Sequence, residues 1–144
     1  YMSQKGMIVI VEDDPDDQLF LEMALDNASV KNPKKFFQNP HEAFDFLKTT
    51  NEPLFIIISD VNMPAQNGIE FKRRIDQDPV LRQKSIPFVF LSTSVDKASV
   101  DKAYTELTVQ GFFRKPDAHD ALEQLVRCIF SYWKVCRHPN SHGV

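Results

Sequence analysis

The chain is short of cysteine, of long apolar runs and of positive charge, and each shortage narrows what it can be. Its two cysteines, Cys128 and Cys136, stand eight positions apart in what reads as one helix. That spacing is about two turns, or roughly 12 Å along the axis, too far for a disulfide within the helix. No CxxC pair is present, which argues against a structural metal, and two free thiols fit a reducing cytoplasm. No apolar stretch approaches the roughly 20 residues that cross a bilayer. Residues 1–6 lack the basic and then apolar layout of a secretory leader. Tyr1 ahead of Met2 reads as an addition before the natural start. A formal charge of -3 argues against phosphate-backbone binding, so neither a nucleic acid nor a membrane is an expected partner. Neither an internal repeat nor a low-complexity segment occurs.

What is present suits one compact domain. The 144 residues are 42% hydrophobic and 26% charged, enough for an ordinary core and a soluble surface. The predicted domain spans residues 6–137, with 138–144 as a tail. Four runs, Met7–Val11, Leu54–Ser59, Phe88–Leu91 and Phe112–Phe113, are too continuously apolar for a strand with one wet face, and predict strands covered on both sides. A weaker run at Lys35–Gln38 adds a fifth. Between them lie helical patterns at Pro15–Ala28, Pro40–Lys48, Gly68–Gln77, Asp96–Leu107 and Asp117–Cys136. The first should bury Leu19, Phe20, Met23 and Ala24, with Asp14 as its cap and Pro15 in its first turn. The third should turn Ile69, Phe71 and Ile75 inward, and the fourth Val100, Ala103, Tyr104 and Leu107. Five strands alternating with five helices predict a doubly wound α/β sheet of flavodoxin-like (βα)5 type, in the strand order 2-1-3-4-5 common at this size.

The polar residues of chemical interest all follow strand ends. Strand one runs into Glu12, Asp13 and Asp14, strand three into Asp60, strand four ends at Ser92, and strand five leads to Lys115-Pro116. In an open α/β sheet these ends face one crevice. Carboxylates crowded there repel one another unless a cation lies between them. Oxygen-only ligands suit a hard divalent ion, Mg²⁺ first and Mn²⁺ next. Lys115 adds a point charge and Ser92 a hydroxyl for phosphoryl oxygens, and the carboxylate between metal and lysine can act as nucleophile.

At this point the sequence resembles a response-regulator receiver domain from about Met7 to Trp133. The resemblance rests on V-E-D at Val11–Asp13, S-D-V-N-M-P-A-Q-N-G at Ser59–Gly68, L-S-T-S at Leu91–Ser94 and G-F-F-R-K-P at Gly111–Pro116. It implies that Asp60 is the phosphoacceptor, that Asp13 binds Mg²⁺ directly with Glu12 supporting it through water, and that Asn62 offers its backbone carbonyl. It further implies a switch at Ser92 and Phe112, an active-site lysine at Lys115, and a proline at Pro116 that relatives often precede with a cis bond. Asn62 and Ser94 match positions that tune dephosphorylation. The chain departs from the commoner pattern with serine at Ser92 for threonine and phenylalanine at Phe112 for tyrosine, so that side chain lacks a phenolic hydrogen bond.

The implied protein is a cytoplasmic signalling phosphoprotein, not an enzyme beyond its own phosphorylation and dephosphorylation. A sensor histidine kinase supplies the phosphoryl group, and an unknown output protein reads the change. The long last helix and its tryptophan resemble stand-alone receivers, including those paired with bacteriophytochrome-type kinases; its apolar end either forms a homodimer contact or closes the core. A haloacid dehalogenase-type phosphatase also pairs an aspartate nucleophile with Mg²⁺, but needs D-x-D followed by threonine or valine, which Glu12–Gln18 lacks. A binding module indifferent to phosphate should have lost Asp60, Asp13 or Lys115, and a flavodoxin would need a phosphate cradle where this first loop is acidic. Singly, Asp60 reads as a turn cap, Ser92 as structural, Lys115 as a surface lysine and Phe112 as core; their common placement lifts them. His41, His119, His138 and His142 have no metal or triad spacing and read as surface residues, and Lys72-Arg73-Arg74 as a solvated helix face.

Overall fold

Alternation along the central strands sets the architecture. In β1 (Met7–Val11), Ile8 and Ile10 face one side of the sheet and Val9 and Val11 the other, and all four are buried. The computed structural model describes residues 5–93 and 95–139. Its elements follow as α1 (Pro15–Asn27), β2 (Lys34–Phe37), α2 (Pro40–Thr49), β3 (Leu54–Ser59), α3 (Gly68–Gln77), α4 (Pro79–Lys84), β4 (Phe88–Ser92), α5 (Lys97–Glu106), β5 (Gly111–Arg114) and α6 (His119–Val135). All strand pairs are parallel, in the order β2-β1-β3-β4-β5. The predicted flavodoxin-like sheet and its order are what the chain adopts.

Two apolar layers cover the sheet. One joins Val9, Val11 and Ile57 to α2, α3 and α5; the other joins Ile8, Ile10, Ile56 and Ile58 to α1 and α6. Phe71, Phe88 and Phe90 lie wholly inside the first, where each ring stabilises the fold by about 1.5–3 kcal/mol. Ile69, Phe71 and Ile75 face inward as predicted.

Several predicted details differ. The stripe chosen for α1 is wrong: Leu19 is 51% exposed and Phe20 and Met23 are exposed with it, while Leu21, Ala24 and Leu25 make the buried face. The helix carries apolar residues on two sides, and the i, i+3, i+4 set 21, 24, 25 is the one the sheet covers. Tyr104 is likewise exposed, whereas Ala103 and Leu107 are buried. α4 is an additional short helix. Asp78 closes α3, and its side chain accepts from Val80 N–H and Leu81 N–H, so with Pro79 in the first turn a new helix starts at once. Cys136 falls just past the end of α6, and both cysteines are free. No peptide bond among the described residues is cis, so the bond before Pro116 is trans.

Two supposed surface residues are buried. Lys72 is 3% exposed: its Nζ donates to Asp76 Oδ1 at 2.7 Å and Thr108 Oγ1 at 3.0 Å and lies 5.1 Å from the Phe88 ring centre. Arg73 and Arg74 of the same run are half-buried. His138 is 1% exposed, because the chain after α6 turns beneath the sheet; His41 and His119 are exposed as predicted, and His142 lies outside the described residues. His138 Nε2 donates to the Phe55 carbonyl at 2.7 Å, and its ring centre lies 5.4 Å from Phe55 and 5.9 Å from Trp133.

Burial pushes the His138 pKa below its ordinary value, partly offset by the Phe55 carbonyl. The unfolded chain therefore binds this proton first. Stability from the docked neutral ring is complete above about pH 6.5 and is lost as pH falls below it, down to the depressed folded value. Thermal melts should show this decline in the natural chain and not in His138→Gln; equal slopes would contradict the docked neutral ring.

Candidate functional site

The site assembles where β1 and β3 lie side by side and their connections leave in opposite directions, which opens a crevice at their C-terminal ends. Glu12 follows β1 directly and is 5% exposed; Asp13 is half-buried. Asp14 turns away to cap α1, accepting from Asp16 N–H at 2.8 Å and Asp17 N–H at 3.4 Å, as predicted. Asp14→Ala should cost about 1 kcal/mol of stability, read by urea unfolding.

Asp60 follows β3. Its N–H donates to the Val11 carbonyl at 3.0 Å, and its Oδ1 accepts from Val61 N–H at 2.7 Å and Asn62 N–H at 3.4 Å. Val61 and Met63 anchor the loop in the core, and Gly68 N–H closes it on the Val61 carbonyl at 2.7 Å. Space requires glycine at the return: a Cβ on Gly68 would stand 2.2 Å from the Asp60 carbonyl oxygen and 2.9 Å from Val61 Cα.

Carboxylate oxygens from Glu12, Asp13 and Asp60 all lie within 4.8 Å of one another. Lys115, carried in by β5, donates to Glu12 Oε1 at 2.5 Å and to Asp17 Oδ2 at 3.2 Å. Burial pushes the Glu12 carboxyl up to about 7; the Lys115 contact opposes that rise and the charge of Asp60 adds to it. Burial alone would pull the Lys115 ammonium down, but the bond to Glu12 and the charges of Glu12, Asp60 and Asp17 outweigh it, leaving its pKa raised. The lysine is thus a held cation within reach of Asp60's field.

Ser92 ends β4 with no exposure, and its carbonyl accepts from Lys115 N–H at 2.8 Å. The following residue, exposed Thr93, lines a cleft of about 150 Å³ together with Glu12, Asp17, Asp60, Lys115 and Phe20. Phe112 is half-buried, its ring centre 5.3 Å from that of Phe90, and its N–H donates to Tyr104 Oη at 3.0 Å. A phenol from α5 thus meets the backbone of Phe112. Asn62 is exposed beside Asp60, and Ser94 lies outside the described residues. Asp17 and Thr93 are the site residues that sequence reasoning missed. Asp17 sits four positions after Asp13, one helical turn on, a spacing that could have pointed to it.

Residues 8–127 match the family described as the response regulator receiver domain. The chain belongs to that family. This receiver is 29% identical over 133 residues to the response regulator Rcp1 of Synechocystis sp., covering 88% of each chain. It superposes on the phosphorylated cyanobacterial phytochrome response regulator RcpA with a TM-score of 0.83 at 28% identity, covering 94% of this chain and 99% of that one. For the Mn²⁺-bound form of Rcp1 the TM-score is 0.80 at 28% identity, covering 93% of this chain and 99% of the other. The protein is accordingly a two-component response regulator receiver, a phosphoacceptor in signalling. Among its described residues no helix is long and apolar enough to cross a membrane.

Proposed function

We propose that Asp60 takes the phosphoryl group from a phosphohistidine of a sensor histidine kinase. Oδ1 is engaged by two backbone N–H groups, while Oδ2 has no hydrogen bond to a described residue, so Oδ2 is the attacking oxygen. Its lone pair forms the new O–P bond as the P–N bond breaks with its electron pair left on nitrogen; a proton already on the other ring nitrogen of the phosphohistidine makes the leaving group a neutral imidazole, and Asp60 carries an acyl phosphate. Asp13 and Asp60, with the Asn62 carbonyl and with Glu12 acting through water, make an oxygen-only donor set that would hold Mg²⁺, or Mn²⁺ as Rcp1 does, and the ion would neutralise the crowded carboxylates and the charge spread over the phosphoryl oxygens.

Lys115 leaves Glu12 and Asp17 for a phosphoryl oxygen, because a phosphoryl group carries more charge than either carboxylate. Its backbone is hydrogen-bonded to Ser92, so β4 and β5 respond together: the Ser92 hydroxyl turns to the phosphoryl group, and Phe112 repacks against Phe90. The face made by α5, β5 and α6 then changes its affinity for an output protein, a shift between two populations of one fold. Asn62 and Ser94 set how long the acyl phosphate lasts. The protein consumes no substrate beyond its own phosphoryl group.

The observation that carries this reading is the convergence of three carboxylates with one held lysine on a cleft open to a donor. Incubation with acetyl phosphate and Mg²⁺ should add one phosphoryl group by intact mass, and EDTA should prevent it. A chain that gains none, or gains it equally with EDTA, would sink the assignment.

A further inference from the structure

At the opposite end of the sheet lies a larger hollow that phosphoryl transfer does not use. Its volume is about 570 Å³, and it runs between the α1–β2 connection and α6. Phe55, Phe130 and Trp133 line it with aromatic rings, and Val30 adds an aliphatic side chain. Lys5, Lys31, Arg127 and Lys134 line it with positive charge, and no carboxylate belongs to the lining. Four cations gathered on one groove run against the whole chain, whose net charge is -3.

Three of the groove's four cations have no carboxylate partner among the described residues, as is also true of Lys35 and Lys102 outside it, while Arg127 pairs with Glu123. Lys34, Lys48, Lys72, Lys97 and Lys115 each have a carboxylate partner. Lys5, Lys31 and Lys134 have none among the described residues, and Lys31 and Lys134 are exposed. Arg127 is held in place by Glu123 at 3.1 Å and by the Asn27 carbonyl at 2.6 Å. The opposing wall is also fixed. Asn32 Nδ2 donates to the Gly6 carbonyl at 2.8 Å, and Ser29 turns the chain with a φ of 60°. The groove is thus preformed, amphipathic and of one sign, which favours binding without a large ordering cost.

We infer that this groove binds an acidic peptide segment of a partner protein, its carboxylates on Lys5, Lys31, Arg127 and Lys134 and one bulky apolar side chain against Phe130 and Trp133. Exposed ion pairs are individually weak, so an apolar anchor is needed beside them. Charge complementarity selects an anionic occupant, and shape selects a peptide among anions. Phe55 and Trp133 are almost wholly buried, too little exposed to offer the open ring faces on which bases stack. A concave groove does not seat on the flat surface of a bilayer. The site begins at Phe55, five residues before Asp60 along one strand, so about 17 Å separates it from the phosphoacceptor. A partner held there leaves the cleft at Asp60 open.

Trp133 is the only tryptophan of the chain, so its emission reports occupancy directly. The probe is an acetylated octapeptide of glutamates and aspartates around a central Leu-Phe pair, titrated into the full chain at low salt. A saturable change in emission is expected, weakening as salt is added. The same peptide with glutamine and asparagine for its acids should bind at least about tenfold more weakly, as should the natural peptide with the Lys31→Glu/Lys134→Glu double variant. Both positions are exposed, so unchanged melting is expected of that variant; should it melt early, the single variants Lys31→Gln and Lys134→Gln carry the test. No saturable change, or equal affinity for the neutral peptide or the charge-reversed chain, overturns the proposal. So does tighter binding of a single-stranded oligonucleotide or of phosphatidylserine vesicles, or a dimer that the double variant dissociates, since each assigns the groove to another occupant.

Discussion

Asp60→Asn should add no phosphoryl group from acetyl phosphate in the presence of Mg²⁺, while the natural chain adds one. The amide is the same size, and its oxygen still accepts from Val61 N–H, so the loop keeps its shape. What disappears is the anionic oxygen. A neutral amide is no nucleophile toward phosphorus, and one of three clustered carboxylates no longer helps to hold the cation. The fold should not suffer. Removing a charge from beside Glu12 and Asp13 relieves repulsion, so in EDTA the variant should melt no lower than the natural chain. Intact mass and a melting curve check both halves. Phosphorylation that survives in Asp60→Asn would mean that another residue is the acceptor.

Gly68→Ala should damage stability and transfer together. The added Cβ would meet the Asp60 carbonyl oxygen at 2.2 Å and Val61 Cα at 2.9 Å, both backbone atoms with no flexible end to swing away. Either the first turn of α3 lifts from the loop or the Asp60–Val61 backbone moves. Overpacking of this kind costs about 1–3 kcal/mol, occasionally more. The relieving motion is centred on Asp60, the proposed phosphoacceptor, and misplacing a reacting group by about 1 Å can slow transfer about a hundredfold. Urea unfolding and the rate of acetyl phosphate labelling should therefore both change. Wild-type labelling in a destabilised variant would show that the loop is less tightly coupled to Asp60 than its hydrogen bonds indicate.

Much of the architecture could be read from hydrophobic pattern. β1, β3 and β4 are continuous apolar runs because helices cover both faces, and their alternation with helical patterns is what points to a parallel sheet. Once the sheet was placed, the strand-end residues Glu12, Asp13, Asp60 and Lys115 had to meet. What stayed hidden depends on tertiary choice. α1 offers two apolar sides, and only packing on the sheet chooses Leu21 and Leu25 over Leu19 and Phe20. Lys72 looks solvated in a basic run, yet its partners Asp76 and Thr108 come from one turn on and from a loop 36 residues away. His138 lies in a polar stretch after a helix end, and its burial follows from the chain passing under Phe55. Asp17 was missed because the first turn of α1 reads as a capped helix start, and only β5 brings Lys115 to it.

Lys115 sharpens the account of the site. A surface lysine by composition, it is here an almost buried cation shared by two carboxylates from the first strand end and the first helix. That arrangement keeps it beside Asp60 before any phosphoryl group arrives. Under the proposed function, departure of the lysine from these two carboxylates toward a phosphoryl oxygen would carry a local charge change into β5.

The most direct test is to locate the phosphoryl group itself. One portion of the acetyl phosphate-treated chain is reduced with borohydride, which converts an aspartyl phosphate to homoserine; peptides spanning the whole chain, from this portion and from an unreduced one, are sequenced by mass spectrometry. The account predicts homoserine at Asp60, dependent on Mg²⁺, none at Asp13 or Asp17, and no 5-hydroxynorvaline at Glu12. Homoserine at Asp13 or Asp17, or a phosphoryl group found on a histidine, would contradict it.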